Sequence, residues 1–308
     1  MIESDTEKKL SKEEELENYR KAGKIHSQVT QYIKPSIKVG APLIEICQNI
    51  EKKIEELGGK WAFPTNISIN NLAAHYTSPP DDKAVIGEKD VVKIDFGVHI
   101  DGYIADGAFT VSFNREYSRL VEASEAALEK AIEAIKPKVK TNEVGRIIED
   151  TIKKYGFRPV RDLSGHILGR YDLHGPKTIP NIKIPFGKEI LEGEVYAVET
   201  FSTTGQGYAH QTPHVYIYSL IPIRAPIRSQ LARNVLKRIG EEFKTLPFAQ
   251  RWLTKNVPLG SLKLAFRELV NSGILHQYHV LADIKGSFVS QSEHTIIVDK
   301  DGCEVTSR

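Results

Sequence analysis

The spacing of apolar residues near the start of the chain predicts two amphipathic helices. Over residues 12–34, apolar side chains recur every three or four positions, which is the period of one helix face. Pro35 ends this helix, and Pro42 opens a second one with a similar apolar stripe. The second helix stops at Gly58 and Gly59, where left-handed backbone conformations carry no Cβ penalty. We therefore predict a helical pair in this part of the chain.

Two runs rich in β-branched and aromatic residues follow, over Val91–Ile100 and Tyr103–Phe113. The dipeptide Asp101-Gly102 between them is among the strongest short signals for a two-residue hairpin turn. We predict an antiparallel hairpin here. Residues whose numbers sum to 203 would face each other across it.

The order of helices and strands then repeats. Helical spacing returns over 116–135 and 141–155, with Pro137 between the two segments. Strand-like runs follow at 194–201 and 287–298. Because two helical pairs are each followed by strands, we predict an α+β fold.

A further segment, residues 219–280, interrupts this pattern. Helical spacing covers 227–245 and 261–270, and a strand-like run follows. This order has the rhythm of a helix-turn-helix unit with a strand appended, as in a winged helix. We predict an inserted helical subdomain at 219–280, within a main domain formed by 1–218 and 281–308.

The composition is that of a globular protein. Of the 308 residues, 40% are hydrophobic and 27% charged, which excludes collagen-like, coiled-coil and globally disordered classes. Two cysteines, Cys47 and Cys303, cannot build a disulfide framework or a zinc finger. No apolar run approaches the roughly 18 residues of a membrane span, and Met1–Leu10 is too charged for a signal peptide. We expect a cytoplasmic protein that does not contact a membrane.

Charge is distributed unevenly along the chain. The formal net charge is +2, but residues 219–280 contain ten Lys and Arg residues against three acidic ones. This basic segment carries +7, so the rest of the chain is acidic. Two interpretations stay open, a solvated helical surface or a contact with ribosomal RNA.

Two acids of the hairpin, Asp95 and Asp106, are predicted to share one face of the sheet. The turn places Asp95 opposite Ala108 and Asp106 opposite Gly97, with the two acidic Cβ atoms within about 7 Å. Like charges at this distance destabilise the sheet unless a proton or cation lies between them. We expect the small opposing residues to leave room for metal ions. The alternative is a pair of solvated acids, but their apolar neighbours favour a buried sheet.

One hairpin cannot complete a metal site. Further ligands could come from His166, which follows a polar stretch, or from Glu199 and Glu293, which are acids in apolar strands. A buried acid in a strand needs a partner. Each of the three could equally be a salt-bridged or edge residue, and their spacing does not decide between the two.

Five motifs, in this order, resemble the ligand-bearing motifs of the methionine aminopeptidases: Lys93-Ile94-Asp95-Phe96-Gly97, Asp106-Gly107-Ala108, Ser164-Gly165-His166, Val198-Glu199-Thr200-Phe201 and Gln291-Ser292-Glu293-His294-Thr295. The flanking motifs are similar to those of the type 2 branch: Ala62-Phe63-Pro64-Thr65-Asn66, Asn70-Asn71-Leu72-Ala73-Ala74-His75-Tyr76 and His174-Gly175-Pro176-Lys177-Thr178-Ile179-Pro180. The resemblance covers nearly the whole chain, and the short N-terminus is closer to the archaeal form. Ser292 departs from the pattern, because many relatives carry a bulkier residue there.

The resemblance implies a pita-bread fold around two divalent metal ions. By the family pattern, Asp95 binds one ion, His166 and Glu199 bind the other, and Asp106 and Glu293 bridge the two. This oxygen-rich set favours Mn, Fe or Co, with Zn as a further option.

The resemblance also implies roles for residues around the ions. Glu199 would shuttle a proton, and His75 and His174 would hydrogen-bond the substrate and the tetrahedral intermediate. The positions that line the methionine pocket in the family are Phe63, Leu173 and Tyr278, together with the two histidines. Without the resemblance, His75 would read as a packed histidine beside Tyr76.

Three functions are compatible with this sequence. The first is removal of the initiator methionine from nascent polypeptides, by a monomeric enzyme whose basic segment could touch the ribosome. The second is a proline-directed pita-bread peptidase, which shares the five ligands but not the type 2 motifs or the insertion. The third is a non-catalytic pita-bread protein that binds RNA or the ribosome, a class expected to have lost metal ligands. We favour the first, because the type 2 motifs and the insertion argue against the second and the presence of all five ligands argues against the third.

Overall fold

The computed structural model describes residues 10–255 and 257–308; the charged segment Met1–Lys9 lies outside them. The helices are α1 (Lys12–Ile33), α2 (Leu43–Glu56), α3 (Ser118–Ala134), α4 (Thr141–Lys154), α5 (Gln230–Glu242), α6 (Gln250–Leu253) and α7 (Leu259–Asn271). The strands are β1 (Lys60–Ile69), β2 (Leu72–Ala74), β3 (Val91–Ile100), β4 (Tyr103–Ser112), β5 (Arg158–Pro159), β6 (Ser164–Ile167), β7 (Thr178–Pro180), β8 (Val195–Thr203), β9 (His210–Leu220), β10 (Phe248–Ala249), β11 (Leu275–Ala282), β12 (Val289–Val298) and β13 (Cys303–Val305).

The two predicted helical pairs are confirmed. Helix α1 begins with a capping box, in which the Ser11 side chain accepts from the Glu14 backbone N–H and the Glu14 side chain accepts from the Ser11 N–H. Helix α3 starts two residues later than its periodicity suggests, because Arg115–Tyr117 forms a 3-10 turn. Each pair packs its apolar face against the main sheet, α1 and α2 in one core and α3 and α4 in another.

The main sheet has nine strands and is antiparallel. Its order is β1-β3-β4-β12-β8-β6-β7, with β13 beside β12 and β5 beside β8. Strand β12 therefore lies between two strands that precede it by many residues. This insertion brings the predicted hairpin next to β8.

The predicted hairpin register is confirmed. Asp95 pairs with Ala108 and Gly97 with Asp106 across β3 and β4. The turn residue Asp101 has φ +49°, followed by a glycine at φ +88°. Two successive positive φ angles match the right-handed twist of the flanking strands, which fixes the register.

Strands β1 and β9 were not predicted. Strand β1 contains Pro64, and its pairing with β3 is interrupted by register shifts between Trp61 and Phe63 and between Phe63 and Asn66. Strand β9 contains Pro213. A proline removes a backbone donor and breaks the usual strand pattern, so the sequence does not indicate a strand in either segment.

A second sheet of four strands has the order β10-β9-β11-β2. Helices α5 and α7 pack on it around a separate apolar core that includes Phe248 and Phe266. The helical segments predicted within 219–280 are present, α5 starting at the Ser229 cap. Strand β2 completes this sheet at its edge, so a segment close to the hairpin joins the two sheets.

Ser292 lies buried on β12, where it alternates with Gln291 and Glu293 and faces α3. Its hydroxyl oxygen is 2.9 Å from that of Ser124, which is also 2.7 Å from the hydroxyl oxygen of Ser290. A hydroxyl cluster therefore fills the helix side of the sheet at this position.

Within residues 10–255 and 257–308, no helix has both the length and the apolar character needed to cross a bilayer.

Candidate metal centre

Three acids and one alanine lie in a row across four strands of the main sheet. Asp95 on β3 pairs with Ala108 on β4, Ala108 with Glu293 on β12, and Glu293 with Glu199 on β8. Directly paired residues in antiparallel strands point to the same face. The three carboxylates therefore line one face, and the small methyl group of Ala108 leaves space between the first and the second.

Asp106 and His166 approach this row from one side. Asp106 is held by Thr295 of β12, whose hydroxyl donates to the Asp106 carbonyl at 2.8 Å and accepts from its N–H at 2.7 Å. His166, on β6, has its Nε2 atom 3.8 Å from Asp106 Oδ2. Ligand atoms of Asp106, His166 and Glu293 all lie within 4.8 Å of one another. These three side chains could contact a single cation.

Burial changes the proton affinity of these groups. It raises the pKa of Asp95 to about 7 and also raises the pKa values of Asp106, Glu199 and Glu293, which the charges of neighbouring acids raise further. Burial lowers the pKa of His166 to about 4, which keeps this imidazole neutral at physiological pH. Four crowded acids are unstable as anions unless positive charge is supplied.

The donor atoms fit divalent metal ions. Among the described residues, Asp95 Oδ1 and Asp106 Oδ1 are buried without any hydrogen-bond partner. Buried polar atoms normally have partners, so two orphan carboxylate oxygens on neighbouring strands point to a missing ligand. Four carboxylates and one neutral imidazole form a hard, oxygen-rich set suited to divalent cations.

Gln291 is a member of the site to which the sequence analysis gave no role. Its side-chain Nε2 lies 3.3 Å from Asp95 Oδ2, 3.4 Å from Glu199 Oε2 and 3.3 Å from Glu293 Oε2. One signal was available: Gln291 is two residues before Glu293 on a strand and so shares its face. Its amide donates toward three of the four acids.

The expectation that Gly97 leaves room for a metal ion is wrong. The ring of Phe63 on β1 occupies the space that a Cβ on Gly97 would need, and the Ala62 side chain lies close to it. Phe63 and Gly97 are direct partners across β1 and β3. The missing side chain thus admits an aromatic ring, and only Ala108 provides the predicted gap.

All ten residues predicted for the site line one cavity: Phe63, His75, Asp95, Asp106, His166, Leu173, His174, Glu199, Tyr278 and Glu293. Six further residues line it that the sequence analysis did not assign: Asn66, Ala74, Leu163, Phe201, Ile217 and Pro247. Most of these are apolar and come from both sheets. The cavity therefore has a carboxylate floor and apolar walls.

His75 and His174 line the same cavity as the acids. His75 has φ +66°, and its Nδ1 is 3.1 Å from the His279 carbonyl. A carbonyl oxygen can only accept, so Nδ1 carries the hydrogen and Nε2 keeps a free lone pair. The ring of His174 stands 4.6 Å from that of His166. Burial lowers the pKa of His75 to about 4 and that of His174 below its ordinary value.

Comparison with known proteins identifies the family. Residues 17–225 match the model of metallopeptidase family M24. A methionine aminopeptidase of Pyrococcus horikoshii is 48% identical over 287 residues, which cover 93% of this chain and 97% of the relative. The chain belongs to the methionine aminopeptidases of metallopeptidase family M24.

The branch and the fold of this M24 metallopeptidase are also confirmed. A methionine aminopeptidase 2 of Sordaria macrospora is 38% identical, covering 97% of this chain and 73% of the relative, which agrees with the predicted type 2 branch. A thermophilic Arx1 structure superimposes with a TM-score of 0.83 at 21% identity, covering 95% of this chain and 90% of that one. The Thermotoga maritima methionine aminopeptidase superimposes with a TM-score of 0.71 at 21% identity, covering 97% and 99%. The fold is the pita-bread fold.

Proposed function

We propose that this protein removes the N-terminal methionine from newly made proteins and peptides in the cytoplasm, as a monomer. The main observation behind the proposal is a single cavity. It is lined by Asp95, Glu293 and Glu199, which lie in one row across the paired strands, and by apolar side chains. Membership of the methionine aminopeptidases supports the choice of methionine.

We assign the metal ligands by the family pattern. Asp95 would hold one divalent ion, His166 and Glu199 would hold a second, and Asp106 and Glu293 would serve as ligands to both. Such a pair of ions lowers the pKa of a bound water and polarises the scissile carbonyl. Co, Mn and Fe suit this donor set, and Zn is a further option.

The chain's own residues complete the reaction. Glu199 moves a proton from the attacking water to the leaving amine, a role open to a carboxylate that lines the cavity beside the reacting atoms. His75 and His174 stay neutral. Because the Nδ1–H of His75 is held by the His279 carbonyl, its Nε2 accepts a hydrogen bond from an N–H of the substrate, while His174 hydrogen-bonds the substrate and the tetrahedral intermediate. Phe63, Leu173 and Tyr278 enclose the methionine side chain and exclude water from it.

The deciding experiment compares two peptide classes. Metal-free protein reloaded separately with Mn, Fe, Co or Zn is given Met-Ala-Ser or an Ala-Pro peptide of the same length. We expect release of free methionine and little hydrolysis of the Ala-Pro peptide. Faster cleavage of the Ala-Pro peptide would favour the proline-directed alternative, and no hydrolysis with any ion would favour a binding protein.

We also propose that residues 219–280 form an inserted subdomain whose basic surface contacts ribosomal RNA. Not all of its positive charge is free, because Arg251 is ion-paired with Glu51 of α2 and its side chain is only 6% exposed. Several others are exposed: Arg224, Arg228, Arg233, Lys237, Lys255, Lys263 and Arg267. Holding the enzyme near emerging chains would raise the local substrate concentration.

Co-sedimentation with ribosomes tests this contact. Changing Arg224, Lys237 and Arg267 to Glu should weaken binding, and wild-type binding should fall steeply as salt rises. The matched control changes exposed Lys21 and Lys24 of α1 to Glu. Equal ribosome binding by both charge-reversal proteins would contradict the RNA contact. The segment would then serve only as a wall of the substrate cavity.

A further inference from the structure

Lys93 is a buried amine close to the candidate metal centre that the reaction above does not use. It lies on β3 two residues before Asp95, on the same face, and only 1% of its surface is exposed. Its Nζ donates to the Asn70 carbonyl at 3.1 Å and to the Val289 carbonyl at 2.8 Å. The Val289 N–H donates to the same Asn70 carbonyl at 3.0 Å. The three residues close a ring of hydrogen bonds.

This ring joins the segments that carry other site residues. Asn70 forms the turn after β1 with φ +55°, and the three-residue strand β2 then leads directly to His75. Val289 begins β12, which carries Glu293 four residues later. The Lys93 amine therefore touches the start of the His75 segment and the start of the Glu293 strand.

Other bonds also hold the Asn70 turn, including the one from the Val289 N–H to the Asn70 carbonyl, but they leave the Val289 carbonyl without a substitute for the Lys93 amine. The Asn70 side chain accepts from the Val91 N–H at 2.9 Å and donates to Asp90 at 2.9 Å, which ties the turn to the beginning of β3. The Val289 carbonyl, in contrast, accepts a hydrogen bond from the Lys93 amine in the protein interior. Water cannot take the place of the amine there.

We propose that Lys93 is a positioning residue that sets His75 against the metal-ligand strands. The lysine does so through its two hydrogen bonds, by fixing the Asn70 turn to the first residue of β12, at the start of the segments that carry His75 and Glu293. The assignment rests on the proposed function, because His75 acts on the substrate there.

A double-mutant cycle tests the proposal. Lys93→Met keeps the length and volume of the side chain and removes the donors. We expect it to fold, keep its metal and lose about 10²-fold in kcat/KM on Met-Ala-Ser, the scale of a misplaced catalytic group. In a His75→Ala background, the same change should cost little more, because both changes disable one function. The control is Lys89→Met, an exposed lysine four residues earlier.

Hydrogen exchange provides a readout that does not depend on activity. Lys93→Met should speed amide exchange over residues 70–76 while the exchange of α4 stays unchanged. If the wild type does not cleave Met-Ala-Ser, the proposed function fails. Faster amide exchange confined to residues 70–76 in Lys93→Met would still support the link between Lys93 and the Asn70 turn. Exchange that rises over the whole chain would overturn the positioning role.

Two further outcomes would contradict the proposal. Losses from Lys93→Met and His75→Ala that multiply would show that the lysine does not act through this histidine. If Lys93→Met does not fold, Lys93→Gln replaces it, since its amide can still donate to one carbonyl. If neither variant folds, the Lys93 amine is needed for folding of the whole core, and the local positioning role is overturned.

Discussion

The ring of Phe63 lies over Gly97, its direct partner across β1 and β3, in the space that a Cβ there would need. On its other side Gly97 pairs with Asp106. A single glycine thus separates the apolar wall of the cavity from one of the proposed bridging acids. The wall can stand next to the metal centre only because this position has no side chain.

We predict that Gly97→Ala displaces Phe63 and lowers both stability and kcat/KM. Inserting a methyl group into a filled site costs about 1–3 kcal/mol, measurable by urea unfolding. Removing the ring with Phe63→Ala should offset part of that cost in the double variant Gly97→Ala, Phe63→Ala. The control is Gly240→Ala on α5, where the nearest atom to an added Cβ is 4.0 Å away. Equal losses in both alanine variants would remove the steric explanation.

Asp106→Asn and Glu293→Gln should each abolish turnover and metal loading together. A bridging carboxylate offsets the charge of both ions, so its amide analogue cannot hold them. Metal content is measured by elemental analysis after gel filtration, with Asp101→Asn at the exposed hairpin turn as the control. Near wild-type hydrolysis by either variant would exclude the bridging assignment.

Removal of the metal should make stability depend on pH through the buried acids. The folded pKa of Asp95 is about 7, above the unfolded value of 3.8, so folded protein binds the extra proton between these pH values. The contribution of Asp95 to the unfolding free energy therefore falls as pH rises from 4 to 7, by at most about 1.4 kcal/mol per pH unit.

The test compares metal-free wild type with metal-free Asp95→Asn, in which this titration is absent. We expect the variant to gain stability relative to wild type as pH rises through this window. Taking the difference cancels the buried histidines, whose lowered pKa values act in the opposite direction. A difference that does not change with pH would contradict the buried, proton-binding acid.

His75→Ala and His174→Ala should keep the metal and lose mainly kcat. Both rings act on the substrate in the proposed mechanism, and groups of this kind contribute about 10²- to 10⁴-fold. Kinetics and metal content are measured on the same preparations, with His214→Ala, an exposed histidine on β9, for comparison. Loss of metal from either variant would make that histidine a ligand.

We predict a preference for methionine followed by a small residue. Binding of the terminal amine beside the carboxylates brings the second side chain against the mouth of the cavity. Met-Ala peptides should be cleaved at least about tenfold faster than Met-Ile peptides. The chain itself begins Met1-Ile2, outside the described residues, so mass spectrometry should find Met1 retained after expression.

The hairpin could be predicted because its information is local. Asp101-Gly102 sets the turn, and the turn sets the partners of Asp95 and Asp106 over the whole length of the two strands. The other three proposed ligands, His166, Glu199 and Glu293, could be chosen only through family motifs, because their spacing alone left a salt-bridged or edge residue equally open. Nothing in the strand of Glu293 indicates that it enters the sheet between β4 and β8, because that pairing joins segments far apart in sequence.

The filling of Gly97 shows a second limit. The sequence indicates that no side chain lies opposite Asp106, but not what takes its place. Phe63 reaches that position because β1 is bulged on both sides of it, and bulges leave little trace in the apolar pattern. The register within one hairpin can be predicted from its own sequence. Which side chain fills the space over Gly97 depends on a third strand, β1.

The central position of β12 also has a consequence for biogenesis. The acids of the row lie on strands at 91–112, 195–203 and 289–298. Of these strands, β12 is synthesised last and lies between the others. A copy still being translated therefore lacks Glu293 until β12 has left the ribosome and inserted between its neighbours. A complete metal site would then form only after β12 has inserted, and ions that bind only the native state would hold the completed sheet together. The enzyme proposed to act on nascent chains would be unable to act while it is itself one.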